Sequence, residues 1–174
     1  MNLEERIALH RRMAEAYRDA YMGHDVHAGG SYAEWEYADD AVYSSPYFTG
    51  DTVLPLDENL AVGAAACATM EAKAYAATFT DWGPVGFKCW PADNGFAMQT
   101  RWEGHTKDGT KMGFYSIGFV DTNEQGQITR WETFPNDEEY GPFLELAIGV
   151  RGPFKDGSDY VDALVKTLEK HGLS

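Results

Sequence analysis

VGFKCW at 85–90, FAMQTRWEGH at 96–105, KMGFYSIGFV at 111–120 and QITRWETF at 127–134 read as four consecutive β-strands. Each is rich in aromatic and β-branched residues, and each pair is separated by turn chemistry. The separators are Pro91-Ala92-Asp93-Asn94-Gly95, Lys107-Asp108-Gly109 and Asn123-Glu124-Gln125-Gly126. Such short links join antiparallel neighbours, so the four runs form a meander. The third run has no clean polar face. A central strand covered on both sides reads that way, and so does a sheet whose outer face packs on a second copy. A homodimer through the outer sheet face is the expectation.

Upstream, residues 2 to about 22 predict an amphipathic helix. Leu3, Ile7, His10, Ala14, Tyr17 and Tyr21 fall on one stripe. Ser31, with Glu34 three residues on, predicts a short capped helix to about Tyr37. Ala41–Tyr47 reads as a strand with Pro46 marking an edge or a break. Asp57 suits the N-cap of an alanine-rich helix running to about Thr78. Downstream, 137–148 and the segment carrying Val161, Leu164, Val165 and Leu168 predict two further helices, with a Gly/Pro loop between them. Helices gathered on one face of a bent sheet define an α+β domain. Its expected span is 1–150, with 151–174 a loop and helix packed on the same domain or on its partner.

Composition narrows the function. Net charge is −14, which opposes binding to nucleic acid or to anionic membrane surfaces. No apolar run reaches the roughly 18 residues of a membrane span. The first residues lack the pattern of a secretory signal, and two cysteines, Cys67 and Cys89, sit in apolar surroundings. A cytoplasmic protein with reduced thiols is expected. Aromatic content is 14%, which serves either a core or a cavity for flat organic ligands. No phosphate loop, dinucleotide fingerprint or nucleophile elbow is present, so nucleotide hydrolysis and hydride transfer have no support. His24, Asp25 and His27 cluster, but their spacing matches no strong zinc signature, and no metal is expected.

The order of elements resembles the nuclear-transport-factor-two-like superfamily, also called SnoaL-like. Tyr37-Ala38-Asp39-Asp40-Ala41-Val42-Tyr43 is similar to its acidic turn into the first strand. Ala76-Ala77-Thr78-Phe79-Thr80-Asp81-Trp82 is similar to the aromatic close of its long helix. Gly126-Gln127-Ile128-Thr129-Arg130-Trp131-Glu132 is similar to its last turn and strand. The resemblance covers roughly residues 5 to 148. It implies a cone with an internal pocket, and mostly cofactor-free enzymes (isomerases, dehydratases, dehydrochlorinases, cyclases) beside non-enzymatic binders.

Candidate site residues follow. If Ile128 points inward, strand alternation sends Arg130, Glu132 and Phe134 inward as well. A carboxylate in an aromatic hollow carries protons near neutral pH, and Glu132 resembles the acidic residue of the phenazine-biosynthesis branch. The alternative is a cross-strand ion pair with Arg130 or Arg101. His105 either shuttles protons or is an exposed turn residue, Arg101 could hold an oxyanion, and Tyr115 donates a hydroxyl or faces a dimer partner. Asp25 resembles the aspartate of the dehydrochlorinase and scytalone-dehydratase branches. Its histidine partner is missing, since that segment reads Thr80-Asp81-Trp82. Tyr43, Tyr47, Trp82, Trp90 and Phe134 are candidate substrate contacts. Together these imply a cofactor-independent lyase for an aromatic, hydroxylated small molecule, working by elimination or retro-aldol cleavage. On the same grounds the chain resembles the diarylpropane γ-formaldehyde lyases of lignin-dimer breakdown. A dehydratase, an isomerase and a non-catalytic aromatic-ligand binder are the alternatives.

Overall fold

The computed structural model describes residues 1–22, 32, 34–50, 53–55 and 70–173. Helix α1 spans Leu3–Met22, with Glu4 and Glu5 in its first turn, where carboxylates suit the helix dipole. Of the expected stripe His10, Ala14 and Tyr21 are buried, and Met13, outside that stripe, is buried with them. Strand β1 follows (Tyr37–Ser44), then the two-residue β2 (Leu54–Pro55). Helix α2 is described over 70–78; the start expected at Asp57 lies outside the described residues. Strands β3 (Gly83–Ala92), β4 (Gly95–His105), β5 (Lys111–Thr122) and β6 (Ile128–Pro135) form the meander. Helices α3 (Asp137–Ile148) and α4 (Ser158–His171) close the described chain.

The sheet order is β2-β1-β6-β5-β4-β3. Neighbours pair antiparallel except β1 and β6, which run parallel. Helix α1 packs across β3 and β4, and α3 lies against β5. The sheet thus wraps its helices in an α+β cone. Asn136 caps α3 through its side chain, accepting from the backbone N–H groups of Glu138 and Glu139. His10, fully buried, ties α1 to the sheet: Nδ1 lies 2.7 Å from the Ala92 carbonyl and Nε2 lies 2.8 Å from Thr122 Oγ1. The core is an aromatic continuum, with Trp82 stacked on Trp102 at 5.2 Å and Phe79 on Phe143 at 4.9 Å.

Two expectations are corrected. No helix forms between Glu34 and Tyr37. Glu34 instead adopts a left-handed backbone (φ 66°) and pairs with Arg12, and strand β1 begins at Tyr37. On β6 the simple alternation from Ile128 breaks, because Asp121 pairs with Arg130 while the next residue, Thr122, pairs with Ile128. One extra residue on β6 makes a bulge, and a bulge reverses which side chains face inward beyond it. No described helix is long and apolar enough to cross a membrane.

Candidate functional site

Inside the cone lies a cavity of about 670 Å³. That is within the roughly 300–1,000 Å³ typical of small-molecule sites. Trp102 and Met98 of β4, Phe114 of β5 and Trp131 of β6 supply much of its apolar wall. α4 contributes Tyr160 and Val161, so the C-terminal helix is part of the enclosure.

The carboxylate that phenols surround in this cavity is Glu71 of α2. Three phenols from three helices donate to it. Tyr21 of α1 lies 3.4 Å from Oε2, Tyr75 of α2 lies 3.3 Å from Oε1, and Tyr160 of α4 makes a short hydrogen bond to Oε1. A second layer supports them: the Tyr75 hydroxyl is 3.2 Å from that of Tyr140 and 3.0 Å from that of Tyr160. Burial pushes the Glu71 carboxyl above the ordinary carboxylate range, and the hydrogen bonds from Tyr160, Tyr75 and Tyr21 oppose that rise. Burial also drives the hydroxyls of Tyr21, Tyr32, Tyr75, Tyr140 and Tyr160 well above the ordinary phenol value. They remain protonated donors at any physiological pH. The arrangement is a proton-accepting carboxylate, a ring of O–H donors and an apolar aromatic wall.

Of the described residues singled out in the sequence, two line the cavity. Tyr43 lines the cavity, its hydroxyl 2.8 Å from Thr133 Oγ1, and Trp82 lines it too. Glu132 lies outside it. The β6 bulge turns Trp131 and Thr133 inward, so Glu132 sits on the opposite face, accepting from Ser44 at 3.2 Å and Arg130 at 3.0 Å. Phe134 shares that face and is 38% exposed. Arg101 and His105 occupy the outward positions of β4, because Phe96, Met98, Thr100 and Trp102 are the inward ones. Arg101 pairs with Glu139 at 2.8 Å and Glu103 at 3.2 Å, and stacks on the ring of Tyr115, which is itself exposed. His105 Nδ1 is 2.8 Å from Asp81, and the His105 backbone N–H and ring hold that carboxyl below its usual range. Trp90, 53% exposed, is on the outer face of β3. Tyr47 is buried against Phe48, Tyr140 and Phe154 instead of the cavity. Asp25, with His24 and His27, lies outside the described residues. Among the described residues no cluster of three metal-ligating side chains occurs.

Sequence reasoning missed Glu71, and a signal for it existed. Within the alanine-rich stretch 61–78 it is the lone carboxylate, with Tyr75 four residues later on the same helical face. An isolated acid on a face otherwise built for burial calls for partners.

No protein-family profile and no curated protein matches the sequence. Solved structures do match in shape. An isomerase candidate from Bacillus subtilis superposes with a TM-score of 0.54 at 16% identity, over 87% of this chain and 99% of its own. The chain has the nuclear-transport-factor-two-like, or SnoaL-like, fold. IdmH, a polyketide cyclase candidate from Streptomyces antibioticus, matches at 0.50 with 16% identity, over 74% of this chain and 93% of its own. A SnoaL-like polyketide cyclase candidate from Jannaschia Sp. CCS1 gives 0.50 at 10% identity, over 80% and 92%. At such identities the likeness to these SnoaL-like structures is one of fold, and chemistry has to be argued from the cavity.

Proposed function

We propose that this SnoaL-like chain is a cofactor-independent lyase acting on an aromatic, hydroxylated small molecule, with Glu71 as its acid–base group. The observation that carries the reading is the Glu71 carboxylate, raised in pKa by burial and held by Tyr21, Tyr75 and Tyr160 beside an apolar cavity. A carboxylate so placed takes a proton from a substrate O–H or C–H and returns it as an acid. Phenol donors stabilise charge that develops on a substrate oxygen, and the surrounding rings exclude water from both events.

For a 1,3-diol flanked by two aryl groups the steps balance. Glu71 removes the primary alcohol's proton, and the C–C bond breaks to release formaldehyde. The electron pair left on carbon expels the benzylic hydroxyl, which takes the proton back from Glu71 and departs as water. The product is a stilbene. A second reading, dehydration, isomerisation or ring closure by the same groups, is favoured by the fold's likeness to isomerase and cyclase candidates.

The test is Glu71→Gln against a panel of aryl alcohols and lignin-type dimers, scored for formaldehyde, water loss and isomerised product. Loss of turnover by roughly 10²-fold or more with binding retained is expected. Unchanged turnover removes Glu71 from the chemistry, and binding without any turnover in the native protein indicates a carrier.

We also propose that the outer face of β3–β6 joins two copies of the chain. Trp90, Tyr115, Ile117, Phe119 and Phe134 are all exposed there; Ile117 pairs with Phe134, Phe119 lies against Phe134, and Ala97 stands between Phe119 and Trp90. Arg101 and Arg130 offset Glu103 and Glu132 on the same face, so two acidic chains can meet here without opposing like charge.

A further inference from the structure

Among the described residues the cavity wall carries charge of one sign only. Among these the wall includes three carboxylates, Glu71 inside and the solvent-exposed Asp156 and Asp162 where α4 begins, and no Lys, Arg or His. The residues outside the description, 23–31, 33, 51–52, 56–69 and 174, contain no Lys or Arg; His24 and His27 are the basic side chains among them. Asp156 stays ionised: Ser158 donates to its Oδ1 through its backbone N–H at 3.0 Å and its hydroxyl at 2.6 Å, and holds the carboxyl below its usual range. The adjacent Lys155 does not line the cavity. The electropositive N-terminus of α4 also meets this rim, and Asp156 stands in front of it, where an incoming anion would otherwise bind.

We infer that the cavity selects against anionic substrates: its ligand is an uncharged aromatic alcohol or phenol, and an aryl carboxylate, a phosphate or a thioester of a phosphorylated carrier is refused. The inference rests on the ligand-binding reading of the cavity and deepens it. An incoming carboxylate would leave water, meet no cation on the described wall, and approach Glu71 through a rim bearing two further negative charges. Like charges brought together in a part-desolvated cleft repel strongly, and a cleft of one sign focuses that field outward. A neutral hydroxyl meets the opposite situation, since it can donate to Glu71 and accept from a phenol.

The experiment is equilibrium binding, read by quenching of tryptophan fluorescence, with three isosteric two-ring ligands bearing –CH₂OH, –COO⁻ or –CH₂NH₃⁺ at one carbon. The carboxylate is expected to bind at least about tenfold more weakly than the alcohol at low ionic strength. The gap should narrow severalfold in Asp162→Asn and more in Asp156→Asn/Asp162→Asn, with the amine binding more tightly than the carboxylate. A carboxylate that binds as well as the alcohol, or better than the amine, overturns charge selection and leaves the cavity's role intact. Failure of all three to bind overturns the ligand-cavity reading itself, and this inference with it.

Discussion

The hydroxyl of Tyr160, on the last helix, donates to the carboxylate of Glu71, 89 residues earlier on α2. This contact joins a segment beyond the meander to the most enclosed charge in the cavity. The start of α4 and the turn before it, 156–162, are therefore part of the site's wall, and the Tyr160 hydrogen bond eases ionisation of Glu71. Phe154 and Tyr160 pack on Phe48, which fixes the height at which the phenol reaches the carboxylate.

Tyr160→Phe keeps the ring packing and deletes the donor. A hydrogen bond to a charged group is worth about 1.5–3 kcal/mol, which corresponds to roughly one to two pH units. Losing it raises the Glu71 carboxyl further, so the acid limb of the pH–activity profile should move to higher pH by that amount. The fold should be retained. An unmoved acid limb would separate Tyr160 from proton transfer.

Stability should depend on pH through the same carboxyl, with a definite sign. Burial raises Glu71 above its unfolded value of 4.5. Well below that value the carboxyl is neutral in both states and costs the fold nothing. As pH rises past it the unfolded chain ionises first, so stability falls until the folded carboxyl has ionised too. The loss is about 1.4 kcal/mol for each unit separating the two values. Gln has no such titration. The melting temperature of Glu71→Gln, measured against the native chain, should therefore gain as pH rises past 4.5, until the folded carboxyl has ionised.

Substitutions on the outer face should leave catalysis alone. Glu132→Gln removes the charge that pairs with Arg130 while keeping an acceptor oxygen for Ser44, and Arg101→Ala removes the pair with Glu139 and the stack on Tyr115. Partly exposed ion pairs contribute about 0–1 kcal/mol, so melting should shift only slightly. Turnover should stay within about twofold of native, a small change beside the loss expected for Glu71→Gln. A large loss in Glu132→Gln would return that residue to the chemistry.

The frame of the molecule was legible because periodicity and turn chemistry are local. Helix α3 falls at 137–148 as read, and the four meander strands deviate only at their ends. The site was less legible because orientation is not local. On β6 one inserted residue reverses the facing of Glu132, and nothing in the text around Thr129 announces it. On β4 both faces carry large side chains, so Arg101 and Trp102 are distinguished only by what packs on each. Tyr21, Tyr75 and Tyr160 come from three helices, and only the closed cone brings their hydroxyls to one carboxylate.

The outer face yields the remaining expectation. Phe119 pairs with Ala97 on β4 and Glu132 on β6, and its ring lies 5.9 Å from that of Phe134. Ile117 pairs with Gln99 and Phe134, which extends the apolar patch along β5. A copy of the chain laid across this face by a two-fold axis would set the patch against itself, the self-complementary arrangement of an isologous dimer. Phe119→Glu places a charge at its centre, so in a dimer two new carboxylates would confront each other, while in a monomer the side chain simply meets water. Sedimentation should show a native species of about twice the 19.4 kDa chain mass, and the variant at the monomer mass with its melting little changed. A native protein that sediments as a monomer would assign the exposed rings some other partner.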